Sequence, residues 1–202
     1  LFQILSKDSY LTSIPWSHTH VFFSDERTVP PDHPDSNFNM ANETLLKHVP
    51  IPDKQIHRMR GETVKPVLAA QDYSGLLQQY VGKSEQGIPQ LDLILLGLGP
   101  DGHIASLFPD TEILDQKDKW VDAVFVKKLN TWRLSLTFPV LNTARYIFLL
   151  VSGEGKADIL SHVINTQTKT PSYPVQQLRP EGQMEWYLDE AAAKNIKEKD
   201  YA

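Results

Sequence analysis

A nearly continuous apolar run, Leu91 to Leu96, breaks off into a loop that holds Gly97, Gly99 and Gly102. So short a run is too brief for a helix of its own and fits a strand covered on both faces, which is how strands of parallel sheets are buried. Helices must then supply the cover, and the flanking sequence has them. Behind Asp35-Ser36 as cap candidates, Phe38, Ala41, Leu45 and Val49 recur at helical spacing until Pro50 and Pro52 stop them. Ala69, Tyr73, Leu76, Leu77 and Tyr80 mark a second helix ending near Gly82, and a third is expected from Gly155 to Ile164. Further strands are expected at His20–Phe23, Ala123–Val126, Leu134–Phe138, Tyr146–Val151 and Met184–Leu188. This alternation predicts an α/β chain with an open, mostly parallel sheet and helices on both faces. At 202 residues, with no repeat, low-complexity tract or linker, it is expected to form one domain over 1–202. The Ala-rich, charged tail Ala191–Ala202 reads as a surface helix that frays.

Composition removes several classes of function. With 20 Lys+Arg against 25 Asp+Glu, the net charge of -5 argues against a general nucleic-acid binder, so any anionic ligand has to be recognised locally. There is no cysteine, which excludes disulfides, thiolate nucleophiles and zinc-thiolate sites and makes a reducing, cytoplasmic setting the expectation. The apolar stretches Leu93–Pro100 and Tyr146–Ser152 fall far short of the ~20 residues that a membrane helix needs, so no membrane partner is expected. No basic-then-apolar leader opens the chain, which starts at Leu1 inside a helical pattern (Leu1, Phe2, Ile4, Leu5), so its natural start is expected upstream.

The densest chemical signal is Gly97-Leu98-Gly99-Pro100-Asp101-Gly102-His103. In open α/β sheets, ligands bind at the carboxyl ends of strands, where this loop falls. Its glycines satisfy G-x-G-x-x-G, but a dinucleotide fingerprint needs an acidic residue ending the next strand, and that strand ends in Lys127-Lys128. Pro100 also stands where the fingerprint's turn enters its helix, so no nicotinamide cofactor is expected. His103 has the side chain suited to relaying a proton near neutrality, and Asp101, two residues before it, is placed to fix its tautomer. Gly99 and Gly102 would let backbone N–H groups approach a substrate. The plainer alternative makes Asp101 a helix cap and His103 a structural residue.

Three cations are candidates for an anion site. Arg27 ends the cluster Ser24-Asp25-Glu26-Arg27 at a strand end, and guanidinium groups suit phosphate or carboxylate; a solvated edge is the competing explanation. Lys156, in Gly153-Glu154-Gly155-Lys156, opposes the dipole of the helix it opens and is well placed to help that N-terminus hold an anion. Arg133 is either a further anion ligand or an exposed strand-edge charge. His18 and His20 alternate along a strand pattern, but two nitrogens with no third ligand nearby make a poor metal site, and surface histidines are expected.

Taken together, these segments resemble the 6-phosphogluconolactonase family. The matching pieces are Asp25-Glu26-Arg27 with Ser36-Asn37, Ile56-His57-Arg58-Met59, the block Gly97 to Pro109, Arg133 with Thr137, Gly153 to Lys156, and Trp186 to Asp189. They run in order across nearly the whole chain. Glucosamine-6-phosphate deaminases share Asp-Gly-His-Ile-Ala but continue Phe-Asn-Glu-Pro, whose carboxylate serves their proton relay. Here Ser106-Leu107-Phe108-Pro109 has no carboxylate, which favours the lactonase.

The resemblance implies a Rossmann-like fold and hydrolysis of 6-phospho-glucono-1,5-lactone in the pentose phosphate pathway, with a sugar-phosphate lactone as partner and neither metal nor organic cofactor. His103 would be the base and Asp101 its orienting partner. Arg27, Arg133 and Lys156 would hold the phosphate or polarise the carbonyl. The resemblance also implies a first strand and a Gly-Gly-Ser-Thr-Pro loop immediately before Leu1, so the sheet is expected to be N-terminally incomplete. The fold further resembles the sugar-phosphate sensing domains of some bacterial transcription regulators, which bind without catalysis.

Overall fold

The computed structural model describes residues 1–165 and 173–196. Along the chain run α1 (Phe2–Leu5), α2 (Asp8–Leu11), β1 (Val21–Phe22), β2 (Asp25–Arg27), α3 (Asn37–Thr44), β3 (Ile56–His57) and α4 (Pro66–Tyr80). There follow β4 (Leu93–Leu96), β5 (Val121–Val126), β6 (Thr131–Leu136), α5 (Phe138–Thr143), β7 (Tyr146–Val151), α6 (Ala157–Asn165), β8 (Gln183–Leu188) and α7 (Glu190–Ala193). Strands β1 and β3 pair in parallel, and β4, β7 and β8 form a parallel sheet in that order. The third sheet, β2-β6-β5, is antiparallel. The chain is thus an α/β protein whose strands are mostly parallel.

Local chemistry explains the element boundaries. Ser36 caps α3, its Oγ accepting from the Asn39 N–H at 3.1 Å, as expected of a serine ahead of a helical pattern. That helix stops at Thr44, short of the periodic pattern, because Leu45 leaves helical geometry and a 3-10 turn, Leu46–His48, carries the chain towards Pro50. Phe138, expected in a strand, instead opens α5. Pro139 follows it, and proline is preorganised for the first helical turn, where its missing N–H costs nothing. His18 lies in a 3-10 turn, Trp16–His18, so it shares no strand face with His20. Of the expected tail helix only Glu190–Ala193 is helical within the described residues; 197–202 lie outside them.

The main core joins Ile94, Leu96, Ile147 and Leu149 of the parallel sheet to Tyr73 and Leu77 of α4 and to Leu160 of α6. Burial on β4 alternates, with Ile94 and Leu96 buried while Leu93 is about half exposed, so the two faces of that sheet are unequally covered and not both sealed. A second cluster packs Trp16, Phe23, Ala41, Leu45 and Ile51. Between them, Tyr73 bridges elements: its hydroxyl accepts from the Phe23 N–H at 2.6 Å and lies 3.2 Å from the His57 carbonyl oxygen, to which it donates. Because β4 and β7 are parallel, the loop after β4 and the turn after β7 leave the sheet at the same end, which sets Gly97–His103 beside Gly153–Lys156.

Candidate active site

After β4 the chain makes a tight, non-helical loop. No helix follows Asp101 for it to cap; the next helical turn is the 3-10 segment Glu112–Asp115. The carboxylate turns to the imidazole instead, with Asp101 Oδ1 2.5 Å from His103 Nδ1. Phe108 stacks on the face of that ring, centroids 4.0 Å apart and planes 29° from parallel.

The two loop glycines act differently from expectation. The Gly99 N–H donates to the His103 carbonyl at 2.8 Å and the Gly102 N–H donates to the Gly99 carbonyl at 3.0 Å, so both amides close the loop on itself instead of facing a ligand. What these residues contribute is space and conformation. A Cβ on Gly99 would fall on the His103 ring itself, and Gly102 has φ +75 with its Cβ position 2.6 Å from the Tyr173 Cβ.

Two serines fasten the loop to the antiparallel sheet. The Ser106 N–H donates to Ser135 Oγ of β6 at 3.1 Å, and Ser106 Oγ donates to Asp25 Oδ2 of β2 at 2.7 Å. Asp25 also accepts from Asn37 Nδ2 at 3.0 Å. This tie brings the ends of β2 and β6 to the imidazole. Their register sets Arg27 directly opposite Arg133. Like charges facing each other across a strand pair are destabilising, and an anion between them would relieve the repulsion. Arg27 is held by the Asp35 carbonyl oxygen at 2.5 Å. Lys156, at the end of the turn before α6, donates from Nζ to the Leu98 carbonyl at 2.6 Å, which places its charge over the start of the loop.

The charges of these groups act on one another. Burial pushes His103 down to about 4; the Asp25 carboxylate pulls it back up, while Lys156, Arg133 and Arg27 push it further down. Burial likewise lowers Arg133, with Arg27 adding to the effect. Asp25 is raised, chiefly by burial, against the opposing influence of Ser106, Arg27 and Arg133. Its neighbour Glu26, 2% exposed, is a structural carboxylate. It accepts from the N–H groups of Arg27, Asn37 and Phe38 at 2.8, 2.7 and 2.9 Å and from Ser36 Oγ at 3.1 Å, pinning β2 to the start of α3.

The structure therefore brings together His103, Asp101, Arg27, Arg133 and Lys156, and it adds Asp25, which sequence reasoning saw only as part of a charged strand end. The signal for Asp25 was its place beside Ser24 and ahead of Arg27, but the hydrogen bond that ties it to the loop comes from Ser106, 81 residues away. His20 is hydrogen-bonded to His57, 2.9 Å between ring nitrogens, and among the described residues no group of three or more His, Cys, Asp or Glu side chains is arranged for a metal. Among the same residues, no helix is long and apolar enough to cross a membrane.

Comparison with known proteins gives these residues a family context. The profile of the family described as "Glucosamine-6-phosphate isomerases/6-phosphogluconolactonase" matches residues 1–186. A protein of Synechocystis named "6-phosphogluconolactonase" is 37% identical over 197 residues, covering 98% of this chain and 80% of its own. A rice protein (Oryza sativa subsp. indica) named "Probable 6-phosphogluconolactonase 4, chloroplastic" is 37% identical over 206 residues, covering 96% of this chain; the chain spans only 63% of that relative's length. The solved structure of 6-phosphogluconolactonase from Trypanosoma brucei superposes with a TM-score of 0.84 at 27% identity, covering 97% of this chain and 81% of that one. With the profile spanning nearly all of it, the chain belongs to the glucosamine-6-phosphate isomerase/6-phosphogluconolactonase family.

Proposed function

We propose that this chain hydrolyses 6-phospho-D-glucono-1,5-lactone to 6-phospho-D-gluconate, with His103 as general base. The observation that carries the proposal is a single imidazole backed by a carboxylate and ringed by three cations, Arg27, Arg133 and Lys156, that all act on its charge. At neutral pH a group titrating near 4 is uncharged, so the lone pair on Nε2 is free to take a proton. Water attacks the lactone carbonyl as His103 removes its proton. The tetrahedral intermediate then collapses, the bond from carbon to ring oxygen breaks, and the imidazolium returns the proton to the departing oxygen. General base catalysis of this kind is worth ~10²–10⁴-fold. Asp101 holds the Nδ1 proton and steadies the imidazolium while it exists. Asp25 offsets the cations, which would otherwise weaken the base further.

Phe108 supports the lactonase over the deaminase chemistry of the same family. It stacks on the imidazole at the position where the deaminase motif carries its glutamate, so the ring faces an apolar group there and not a second acid. A cytoplasmic setting, expected of a cysteine-free chain, belongs to the same proposal, and cell fractionation tests it.

The cations give the proposal a sharp test. Charge-assisted hydrogen bonds to phosphate are strong, so Arg133→Met or Lys156→Met is expected to lower kcat/KM on the phosphorylated lactone by about 10- to 30-fold. Unphosphorylated glucono-1,5-lactone should lose less than about threefold, because it brings no phosphate to the site. Steady-state kinetics on the two lactones decides the matter. Equal losses on both substrates would assign the cations to the carbonyl or to folding.

A further inference from the structure

Lys128 was visible in the sequence only as one of two lysines ending a strand. It sits in the 3-10 turn Lys127–Leu129 after β5, and Asn130, in the left-handed region at φ 47, turns the chain back into β6. Its side chain is half exposed, as expected of a surface lysine, yet Nζ is paired with Asp101 Oδ2, 27 residues away. The other oxygen of the same carboxylate holds His103 Nδ1 at 2.5 Å. The ammonium also lies 4.7 Å from the centre of the Phe108 ring, and Phe108 is the residue stacked on His103. Lys128, Asp101, His103 and Phe108 thus close a circuit in which the lysine reaches the imidazole by two routes, one ionic and one aromatic.

An exposed ion pair contributes little to stability, so folding alone gives this lysine no strong reason to be here. Its partner gives one. A carboxylate that orients a histidine works only while it stays ionised and turned to the ring, and such outer partners hold reactive imidazoles in place.

We propose that Lys128 is a positioning residue for His103, anchoring Asp101 so that the imidazole keeps its proton on Nδ1 and presents Nε2 to the substrate. The inference rests on the lactonase reading, in that it assumes a neutral His103 to be the working base. The groups that face the imidazole from the packed elements are Asp101 and Lys128, Asp25 and Arg27 of β2, Arg133 of β6, and Lys156 before α6. Removing Lys128 leaves all the others unchanged but frees the Asp101 carboxylate from its counter-charge. The unopposed carboxylate then draws a proton onto His103, and the ring loses its fixed orientation.

The test uses Lys128→Gln and Lys128→Arg in the full chain, read by 15N-edited NMR of the His103 ring and by lactone hydrolysis. In the glutamine variant the His103 titration midpoint is expected to rise by about half a pH unit or more, with the Nε2-protonated tautomer becoming detectable. Its kcat should fall about tenfold while KM stays within about twofold, and arginine should restore both readouts because it keeps the charge. A glutamine variant with the wild-type midpoint, tautomer and kcat would overturn the proposal. So would a tenfold rise in KM at unchanged kcat, which would make Lys128 a substrate contact. If the wild-type chain fails to hydrolyse the lactone, the functional reading falls, while the NMR comparison still decides what Lys128 does to His103.

Discussion

His103→Asn is expected to lower kcat on 6-phosphogluconolactone by about 10²–10⁴-fold, with KM changed by less than about threefold. Asparagine keeps a polar group within reach of Asp101 but cannot take up a proton, so the loss isolates proton transfer from binding. The cations proposed to hold the phosphate lie on β2, on β6 and before α6, not on the loop that carries His103, so binding should survive. The rate must be measured after subtracting spontaneous lactone hydrolysis, and a variant within a few fold of wild type would remove His103 from the mechanism.

Gly99→Ala should be nearly as damaging without removing any reactive group. The new methyl would coincide with the His103 ring near Nδ1 and Cε1, so either the imidazole swings away from Asp101 or the loop shifts. A misplacement of about 1 Å can cost about 10²-fold in rate, and a loss of that size in kcat is expected here. The same substitution at Gly97, where a Cβ meets nothing within 4 Å, should change kcat by less than about threefold. Two glycines in one loop, two positions apart, would then behave differently for a stated steric reason. Comparable activity in both variants would show that the ring has more freedom than this geometry allows.

How much of this was legible in the sequence depends on whether the signal was local. The strand into Gly97–Gly102 and the Asp101–His103 spacing were legible, because apolar runs and turn glycines act over a few residues. So was the anomaly of a lysine, Lys156, opposing its own helix dipole. β5 and β6 were legible as strands, but β2 and the antiparallel pairing of the three were not. β2 is three charged residues with no alternation to mark it, and what makes it a strand is its pairing with Ser135, Leu134 and Arg133 more than a hundred residues on. The bond between Asp25 and Ser106 and the reach of Lys128 to Asp101 were hidden for the same reason, since each depends on a partner that only the fold delivers. The glycine amides were misjudged because glycine signals that backbone can approach closely, without saying whether the approach is to a ligand or to the loop itself.

The central claim is that a neutral His103, depressed by burial, drives hydrolysis of a phosphorylated lactone. The pH dependence of kcat/KM for 6-phosphogluconolactone tests it most directly. Only the neutral imidazole accepts a proton, so the rate, once corrected for the substrate phosphate's own second ionisation at about 6, should be level from about pH 7 down to about pH 5 and fall through a single acid limb centred near 4, where His103 becomes protonated. The same profile on unphosphorylated gluconolactone should keep the limb and sit lower throughout. A limb near the ordinary histidine value of 6.5, or a rate no faster than the spontaneous reaction at every pH, would contradict the account.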